Sequence, residues 1–271
     1  MAKTLLPADP LRFFGAFWRT WVSFGSSFIG ISALFYRLLA TFGRPFGSHR
    51  LMIREYAQQI YRLGVLGWPI VALSGLLLGL SIIVYIAAQL RKIHLEELIG
   101  TLLVIVVVRE LGPILTALLV LLRSGAAMIV EIGVMKLDRE MESLELLGLE
   151  TEIVIGAPRF WGLLISLTIL FGIFLFSAII GGYLFGQLLT DIYWQKLWRS
   201  LLNALNWEDI IISTGKILLF AMSMGCIAIY YGLGTKDHWE SLAVQTSRGA
   251  VAALMALGLL NTILSIVRYL V

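Results

Sequence analysis

The sequence predicts an all-α protein, a polytopic membrane helical bundle of about five transmembrane helices preceded by N-terminal interfacial helices. The first observation is composition, because 59% of the 271 residues are hydrophobic and only 14% are charged, whereas soluble domains carry about 25% charged residues. The second is a series of long apolar runs without strand-like alternation. Only helices and closed barrels satisfy their backbone hydrogen bonds inside a bilayer, and unbroken runs of this length select helices.

The N-terminal region, residues 1–63, is predicted to be cytoplasmic and interfacial. In the aromatic-rich stretch 10–42, the basic and small polar residues share one narrow stripe of a helix, which favours a helix lying in the membrane interface. A true span from Thr20 to Tyr36 is the alternative, because these 17 residues carry no charge and are just long enough to cross. Charged and amide residues within 51–63 predict a second, shorter surface helix.

The transmembrane domain is predicted to cover residues 64–271, with spans near 65–90, 97–122, 158–188, 209–233 and 249–270. Fourteen of the 21 Lys and Arg residues lie in the N-terminal region, between 123 and 160, or between 235 and 248. The positive-inside rule therefore predicts that the N-terminus and the connector 123–157 are cytoplasmic. After five spans the C-terminus is expected on the opposite face. No removable signal peptide is expected, since Asp9 precedes the first apolar stretch.

Two adjacent charged residues, Arg109 and Glu110, lie inside the second predicted span. An Arg at the centre of a membrane helix costs at least about 2.5 kcal/mol, so such residues are functional candidates. Neighbouring side chains point about 100° apart on a helix, and at least one of the two therefore needs another partner. Pro113 removes a backbone donor and leaves carbonyls near Arg109 to be satisfied elsewhere. Two interpretations stay open: a cavity wall, or a polar staple between helices or across a dimer.

Other residues in the spans predict anchoring and packing. Lys216 follows Asp209 by seven residues, near enough to a helix end for its ammonium group to reach the interface and anchor the helix. Gly75 and Gly79 in the first span have the Gly-xxx-Gly spacing that permits close contact between helices. Both expectations rest on common patterns.

The connector between the second and third spans combines a helical period with charge. Within 124–150, apolar residues recur on one side and charged residues cover the rest, and Gly148 is placed as a helix C-cap. A short amphipathic helix between two spans is suited to docking into a groove of a soluble partner. A solvated turn is the alternative interpretation.

Several classes of function are disfavoured by missing motifs. The sequence contains no P-loop, no H-E-x-x-H and no G-x-S-x-G motif, so we expect a chain that is not an enzyme and holds no cofactor. His49, His94 and His238 are far apart, and Cys226 alone cannot build a disulfide framework or a thiolate metal site. The net charge of +4 is spread without a basic cluster, which disfavours nucleic acid as a partner.

The run from 108 to 148, VRELGPILTALLVLLRSGAAMIVEIGVMKLDREMESLELLG, resembles the signature of the MlaE/YrbE family. These are permeases of bacterial ABC systems that move phospholipids between the inner and outer membranes. The later Pro-Arg-Phe-Trp at 158–161 also matches, and the likeness extends over roughly residues 50–271 in order. The resemblance implies a permease homodimer in the bacterial inner membrane with a lipid cavity at its seam.

The resemblance also implies partners and residue roles. A cytoplasmic ATPase would bind ATP and Mg, a STAS-domain regulator is a possible further subunit, and a periplasmic MCE-domain protein would exchange phospholipid. The implied cavity residues are Arg109, Glu110, Leu111, Pro113 and Tyr85, the last at a position where many relatives have Gln. The implied ATPase-coupling helix lies near 131–147 and includes Glu131, Met135, Lys136, Glu140, Met141, Leu144 and Glu145. The alternative functions are a proton-coupled secondary transporter or channel using Glu110 and a membrane scaffold or lipid enzyme.

Overall fold

The computed structural model describes residues 30–40, 50–92, 98–190, 194–236 and 238–270. Throughout these ranges the regular structure is helical. In chain order the helices are α1 (Gly30–Ala40), α2 (Arg50–Ile60), α3 (Trp68–Lys92), α4 (Ile99–Leu103), α5 (Gly112–Val120), α6 (Ala126–Leu137), α7 (Glu140–Leu146), α8 (Ala157–Thr190), α9 (Trp194–Ala204), α10 (Trp207–Leu233) and α11 (Trp239–Leu270). The π-helical segments Tyr61–Val65, Val104–Leu111, Leu121–Gly125 and Glu152–Gly156 join several of them.

The predicted all-α polytopic bundle is confirmed. Within the described ranges, five helical runs are long and apolar enough to cross a membrane: Arg54–Lys92, Ile99–Leu137, Ile153–Leu184, Trp207–Leu233 and Trp239–Arg268. Most of these runs are longer than the predicted spans, because helices continue past the apolar stretch into charged sequence. The predicted connector 235–248 is consequently wrong from Trp239 onward, because α11 already begins there.

The predicted surface helix at 51–63 is not a separate element. α2 continues through Tyr61–Val65 and a turn at Leu66 and Gly67 into α3, and the whole forms one candidate span. The boundary that we placed between residues 63 and 64 falls inside this run. Charged residues at the start of a long helix do not separate it from its apolar part, because the helix can extend out of the hydrocarbon layer.

Helix α1 crosses the ends of two longer helices. A Cβ atom on Gly30 would meet the Tyr230 ring of α10, and Leu38 lies beside Gly156 and Ile229. Both ends of α1 therefore contact nearly the same level of α10. The interfacial interpretation of the stretch 10–42 stays a prediction, and residues 10–29, 41 and 42 of that stretch lie outside the described residues.

The connector after the second span contains two helices where one was predicted. The single coupling helix at 131–147 is wrong, because α6 ends at Leu137 and Arg139 adopts the left-handed conformation with φ 59°. The break turns α7 so that Met141 is buried. Gly148, with φ +74°, closes α7: its N–H donates to the Glu145 carbonyl, and the Leu149 N–H donates to the Leu144 carbonyl. This pair of bonds is a Schellman motif, so the predicted C-cap is present.

The tightest helix contact joins α3 to α8. A Cβ atom on Gly75 would lie 2.7 Å from the Phe174 carbonyl oxygen, and one on Gly79 would collide with the backbone of Ala178. From the other side, a Cβ atom on Gly181 would collide with the backbone of Leu76. Small residues on both helices thus let the two backbones touch, which is how helices gain packing energy in lipid.

We expect Gly79→Ala to destabilise the protein by about 1–3 kcal/mol, because the added methyl group overpacks the contact with the Ala178 backbone. Gly172→Ala on α8 is the matched control, since a Cβ atom there meets nothing within 4 Å. Thermal unfolding in detergent measures both. Equal midpoints for the two variants would contradict the close backbone contact.

Candidate functional site

The backbone of the second span departs from α-helical geometry where its charged residues lie. Arg109 and Glu110 are part of the π-helical segment Val104–Leu111, and the Gly112 N–H donates to the Val107 carbonyl five residues earlier. Pro113 follows at the start of α5 and has no N–H to offer the Arg109 carbonyl, four residues before it. π-Helical geometry occurs frequently at functional sites, and here an eight-residue π-helical segment coincides with a carbonyl that lacks its helical donor.

Lys216 of α10 supplies the missing donor. Its Nζ lies 3.1 Å from the Arg109 carbonyl oxygen and 3.1 and 3.2 Å from the two Glu110 carboxylate oxygens. The Lys216 side chain is 1% exposed. The prediction that Lys216 anchors a helix end by reaching the interface is therefore wrong. The ammonium group points inward, because a carboxylate and a freed carbonyl together replace its hydration.

Ser265 of α11 completes this group. Its Oγ accepts from Lys216 Nζ at 3.0 Å and donates to Glu110 Oε2 at 2.6 Å. The Glu110 carboxylate thus receives hydrogen bonds from two helices, while its own backbone belongs to a third segment. Hydrogen bonds to a charged group are stronger than neutral ones, so this group fixes the position of α11 against the second span.

A second group of charges surrounds Asp209, near the start of α10. Arg109 Nη2 donates to Asp209 Oδ2 at 3.0 Å, and Arg109 Nε lies 2.8 Å from Oδ1 as an ion pair. Arg268 of α11 forms an ion pair with the same carboxylate, which is 3% exposed. The Asn206 N–H also donates to Asp209. Arg109 and Glu110 therefore have different partners, as the 100° angle between neighbours predicts.

An open cleft of about 540 Å³ lies beside these two groups. It is lined by Glu110, Asn261, Thr262, Ser265, Ile266 and Leu270. The Asn261 side-chain oxygen is buried and has no hydrogen-bond partner among the described residues. The two groups of charged residues beside the cleft together contain three cations and two anions, a net charge of +1. The cations are Arg109, Lys216 and Arg268, and the anions are Glu110 and Asp209. The cleft can therefore accept a molecule that is apolar along one side and carries a polar or anionic group.

Comparison with known proteins decides the family. A model of the family described as Permease MlaE matches residues 56–267, which is most of the chain. The chain belongs to the MlaE permease family. The predicted resemblance is confirmed, and five candidate spans with this membership make the protein a multi-pass membrane permease.

Individual relatives agree with the family assignment of this MlaE-family permease. The intermembrane phospholipid transport system permease protein MlaE of Haemophilus influenzae is 33% identical over 204 residues, 74% of this chain and 78% of that protein. A probable ABC transporter permease protein of Synechocystis is 26% identical over 241 residues, 87% of this chain and 92% of that protein. The chloroplastic protein trigalactosyldiacylglycerol 1 of Arabidopsis thaliana is 22% identical over 212 residues, 78% of this chain and 61% of that protein.

The predicted cavity residues of the permease do not all lie at the cleft. Glu110 lines the cleft, Arg109 stands behind it against Asp209, and Pro113 is buried in α5. Leu111 closes the π-helical segment. Tyr85 is exposed on α3 and is not part of the cleft lining. The sequence did not point to Asp209 or Ser265, although Asp209 could have been suspected as a carboxylate next to an apolar helix.

Most of the predicted ATPase-coupling residues contact other parts of the same chain. Glu131 pairs with Arg62 at 3.4 Å and Arg159 at 3.8 Å. The Met135 sulfur lies 3.3 Å from Arg159 Nη2, and Lys136 Nζ donates to the carbonyl at the end of α10. These three residues therefore hold the end of α6 to the π-helical segment after α2, to α8 and to α10.

The same holds for the predicted residues on α7, with one exception. Met141 is buried, Leu144 packs partly buried against the core, and Glu145 accepts a hydrogen bond from Thr151 at 3.2 Å. Glu140 is exposed. The apolar side chains that face outward are instead Leu146, 89% exposed, and Leu147, 74% exposed. Leu147 belongs to the apolar side that the helical period predicts, together with Met135, Met141 and Leu144, whereas Leu146 was not part of it.

We expect Lys216→Met to destabilise the permease by about 3 kcal/mol, because breaking a buried ion pair leaves a charge and a carbonyl without a partner. Adding Glu110→Gln should restore about half of the loss, since the unpaired charge is then removed. Lys236→Met, at an exposed position, is the control and should change little. Unfolding in detergent gives the change in the free energy of unfolding for each of the three variants. An unchanged unfolding midpoint for Lys216→Met would show that the ion pair is dispensable.

Proposed function

We propose that this permease is the membrane subunit of a bacterial ABC transporter that moves phospholipids between the inner and outer membranes. It resides in the inner membrane with its N-terminus in the cytoplasm and its C-terminus in the periplasm. The observation that carries the proposal is the open cleft beside Glu110 and α11. Its wall combines apolar side chains with a carboxylate, an amide and two hydroxyl groups, which suits an amphiphile with long chains and a polar headgroup.

The charges behind the cleft support a phospholipid as the amphiphile. A cluster with a net charge of +1, formed by Arg109, Lys216 and Arg268 against Glu110 and Asp209, attracts a phosphate more than a neutral headgroup. The name of the Haemophilus relative, a phospholipid transport permease, agrees with this chemistry. Phospholipid is therefore the proposed substrate class.

A homodimer is the proposed working form. α11 is the least buried of the candidate spans, and its exposed face carries Leu254, Met255, Leu259, Ile263, Ile266 and Val267. A second copy that covers this face would close the open side of the cleft and leave the lipid at a seam. A periplasmic MCE-domain protein would then receive or deliver the lipid.

The energy source in this proposal is a separate cytoplasmic ABC ATPase, which binds ATP and Mg, with a STAS-domain protein as a possible regulator. The name of the Synechocystis relative, a probable ABC transporter permease, agrees with this. Leu146 and Leu147 form the exposed apolar end of α7, where a groove of the ATPase would bind. Motion of α7 would reach the bundle through Glu131 and Lys136, which tie the neighbouring α6 to other helices.

We expect Ile266→Trp to reduce ATP-driven phospholipid transfer at least ten-fold, because the larger side chain fills the cleft. Ile169→Trp on α8 is the matched control: Ile266 and Ile169 are 53% and 51% exposed, and only Ile266 lines the cleft or lies on the face covered by the second copy. Transfer of a fluorescent phospholipid from proteoliposomes with the assembled complex measures both variants. Transport driven by a proton gradient without ATP would replace this proposal with a secondary transporter.

We expect Leu147→Glu to weaken binding of the ATPase about thirty-fold, the effect of losing roughly 2 kcal/mol at a central interface residue. The fold should be preserved, since the side chain is exposed. Val244→Glu, another exposed apolar position, serves as the control and should leave binding unchanged. Affinity is measured by co-purification and titration of the ATPase, and unchanged binding by Leu147→Glu would contradict the proposed docking surface.

A further inference from the structure

The second span contains one charged side chain that neither the cleft nor the α6 contacts use. Arg109 pairs with Asp209, and Glu110 with Lys216. Glu131 and Lys136 are held by other helices, as described above. In the described part of the chain, Arg123 is the charged residue of this span without a carboxylate or carbonyl partner. An ionisable residue at membrane depth is costly unless it meets a polar group.

Arg123 lies where two helices lose regular geometry side by side. It belongs to the π-helical segment Leu121–Gly125, and it packs against Gly67, at the turn between α2 and α3. A Cβ atom on Gly67 would lie 2.6 Å from Arg123 Nη1. The guanidinium group therefore rests on bare backbone in a space that only glycine leaves open.

The surroundings of Arg123 open toward the bilayer. Its neighbour Leu122 is exposed, as is Trp68 beside Gly67, and Arg123 itself is partly exposed. Exposed apolar side chains on candidate spans face lipid, so the guanidinium group is reachable from the membrane. The residues on both sides of Arg123 and of Gly67 in the sequence belong to the described ranges.

The depth of Arg123 fits the headgroup region of one leaflet. Arg109 and Arg123 are 14 residues apart, about 21 Å along a helix. Centred in a hydrocarbon layer of about 30 Å, each residue would lie about 5 Å inside an edge. An Arg side chain spans that distance and can place its guanidinium group at the phosphate level.

We propose that Arg123, seated on the backbone at Gly67, binds the phosphate group of a bilayer phospholipid in the leaflet on the α7 side of the membrane. The planar guanidinium fork matches the geometry of a phosphate, and the phosphate provides the anion that the described residues of the chain do not. In the proposed orientation this is the inner leaflet. The site is separate from the cleft, on the other half of the span, and does not depend on ATP-driven transport.

Native mass spectrometry of the purified full chain, titrated with phosphatidylglycerol, tests the proposal. We expect Arg123→Gln to weaken one binding event about ten-fold or more, the loss typical of a charge-assisted hydrogen bond. Arg123→Lys should retain part of the affinity, because it keeps the charge without the fork. Arg62→Gln is the matched control: this exposed cation pairs with Glu131, and its removal should not alter the event.

Further titrations identify the ligand and distinguish this site from the cleft. Diacylglycerol, which has the chains without the phosphate, should not bind at this site, and inorganic phosphate should not displace the lipid. Ile266→Trp should leave the Arg123-dependent event intact even though it fills the cleft. Equal affinity of wild type and Arg123→Gln, equal loss with Arg62→Gln, binding of diacylglycerol, or displacement by free phosphate would each overturn the proposal.

Discussion

The structure depends on one buried ammonium group. Lys216 replaces the donor that Pro113 cannot offer to the Arg109 carbonyl, and the same group neutralises Glu110. Through Ser265 it also holds α11. Three separate segments of the chain thus meet at one atom inside the membrane. Because the Lys216 side chain is 1% exposed, solvent does not readily replace these bonds, and the positions of the second span, α10 and α11 are set together.

Polar contacts have this role because the hydrophobic effect does not drive helices together within lipid. α3 and α8 associate through the close packing of small residues. α11 instead has a mostly exposed apolar face and is held to the bundle in part through Ser265 and Arg268. The bundle therefore contains one tightly packed pair and one helix whose attachment uses charges and hydroxyl groups, and the cleft lies beside that second helix.

The sequence was sufficient for the fold class and for part of the site. Hydrophobic runs predict spans because length and apolarity alone satisfy the bilayer, and the angle between Arg109 and Glu110 correctly required separate partners. The identity of those partners was not accessible. Lys216 and Asp209 lie about 100 residues further along the chain, and a lone Lys near a charged helix start looks like an interfacial anchor unless its carboxylate partner is known.

The connector shows a second kind of limit. A helical period predicts which residues would share a face, but it assumes an unbroken helix. Arg139 adopts a left-handed conformation that few residues other than Gly, Asn and Asp favour. The residue types at this position therefore do not predict that the helix breaks. As a result most of the predicted apolar face, including Met141, turns inward. Leu147 of that face stays at the surface beside Leu146, which the period did not include.

The glycine contact between α3 and α8 has a mechanical consequence. Where backbones touch at Gly79 and Gly181, no layer of side chains exists that could change rotamer to absorb a small displacement. Sliding would have to proceed in steps of a whole helical turn, about 5.4 Å, or not at all. The α3 and α8 pair is therefore the rigid part of the bundle. Movements that open or empty the cleft must be made by the other helices.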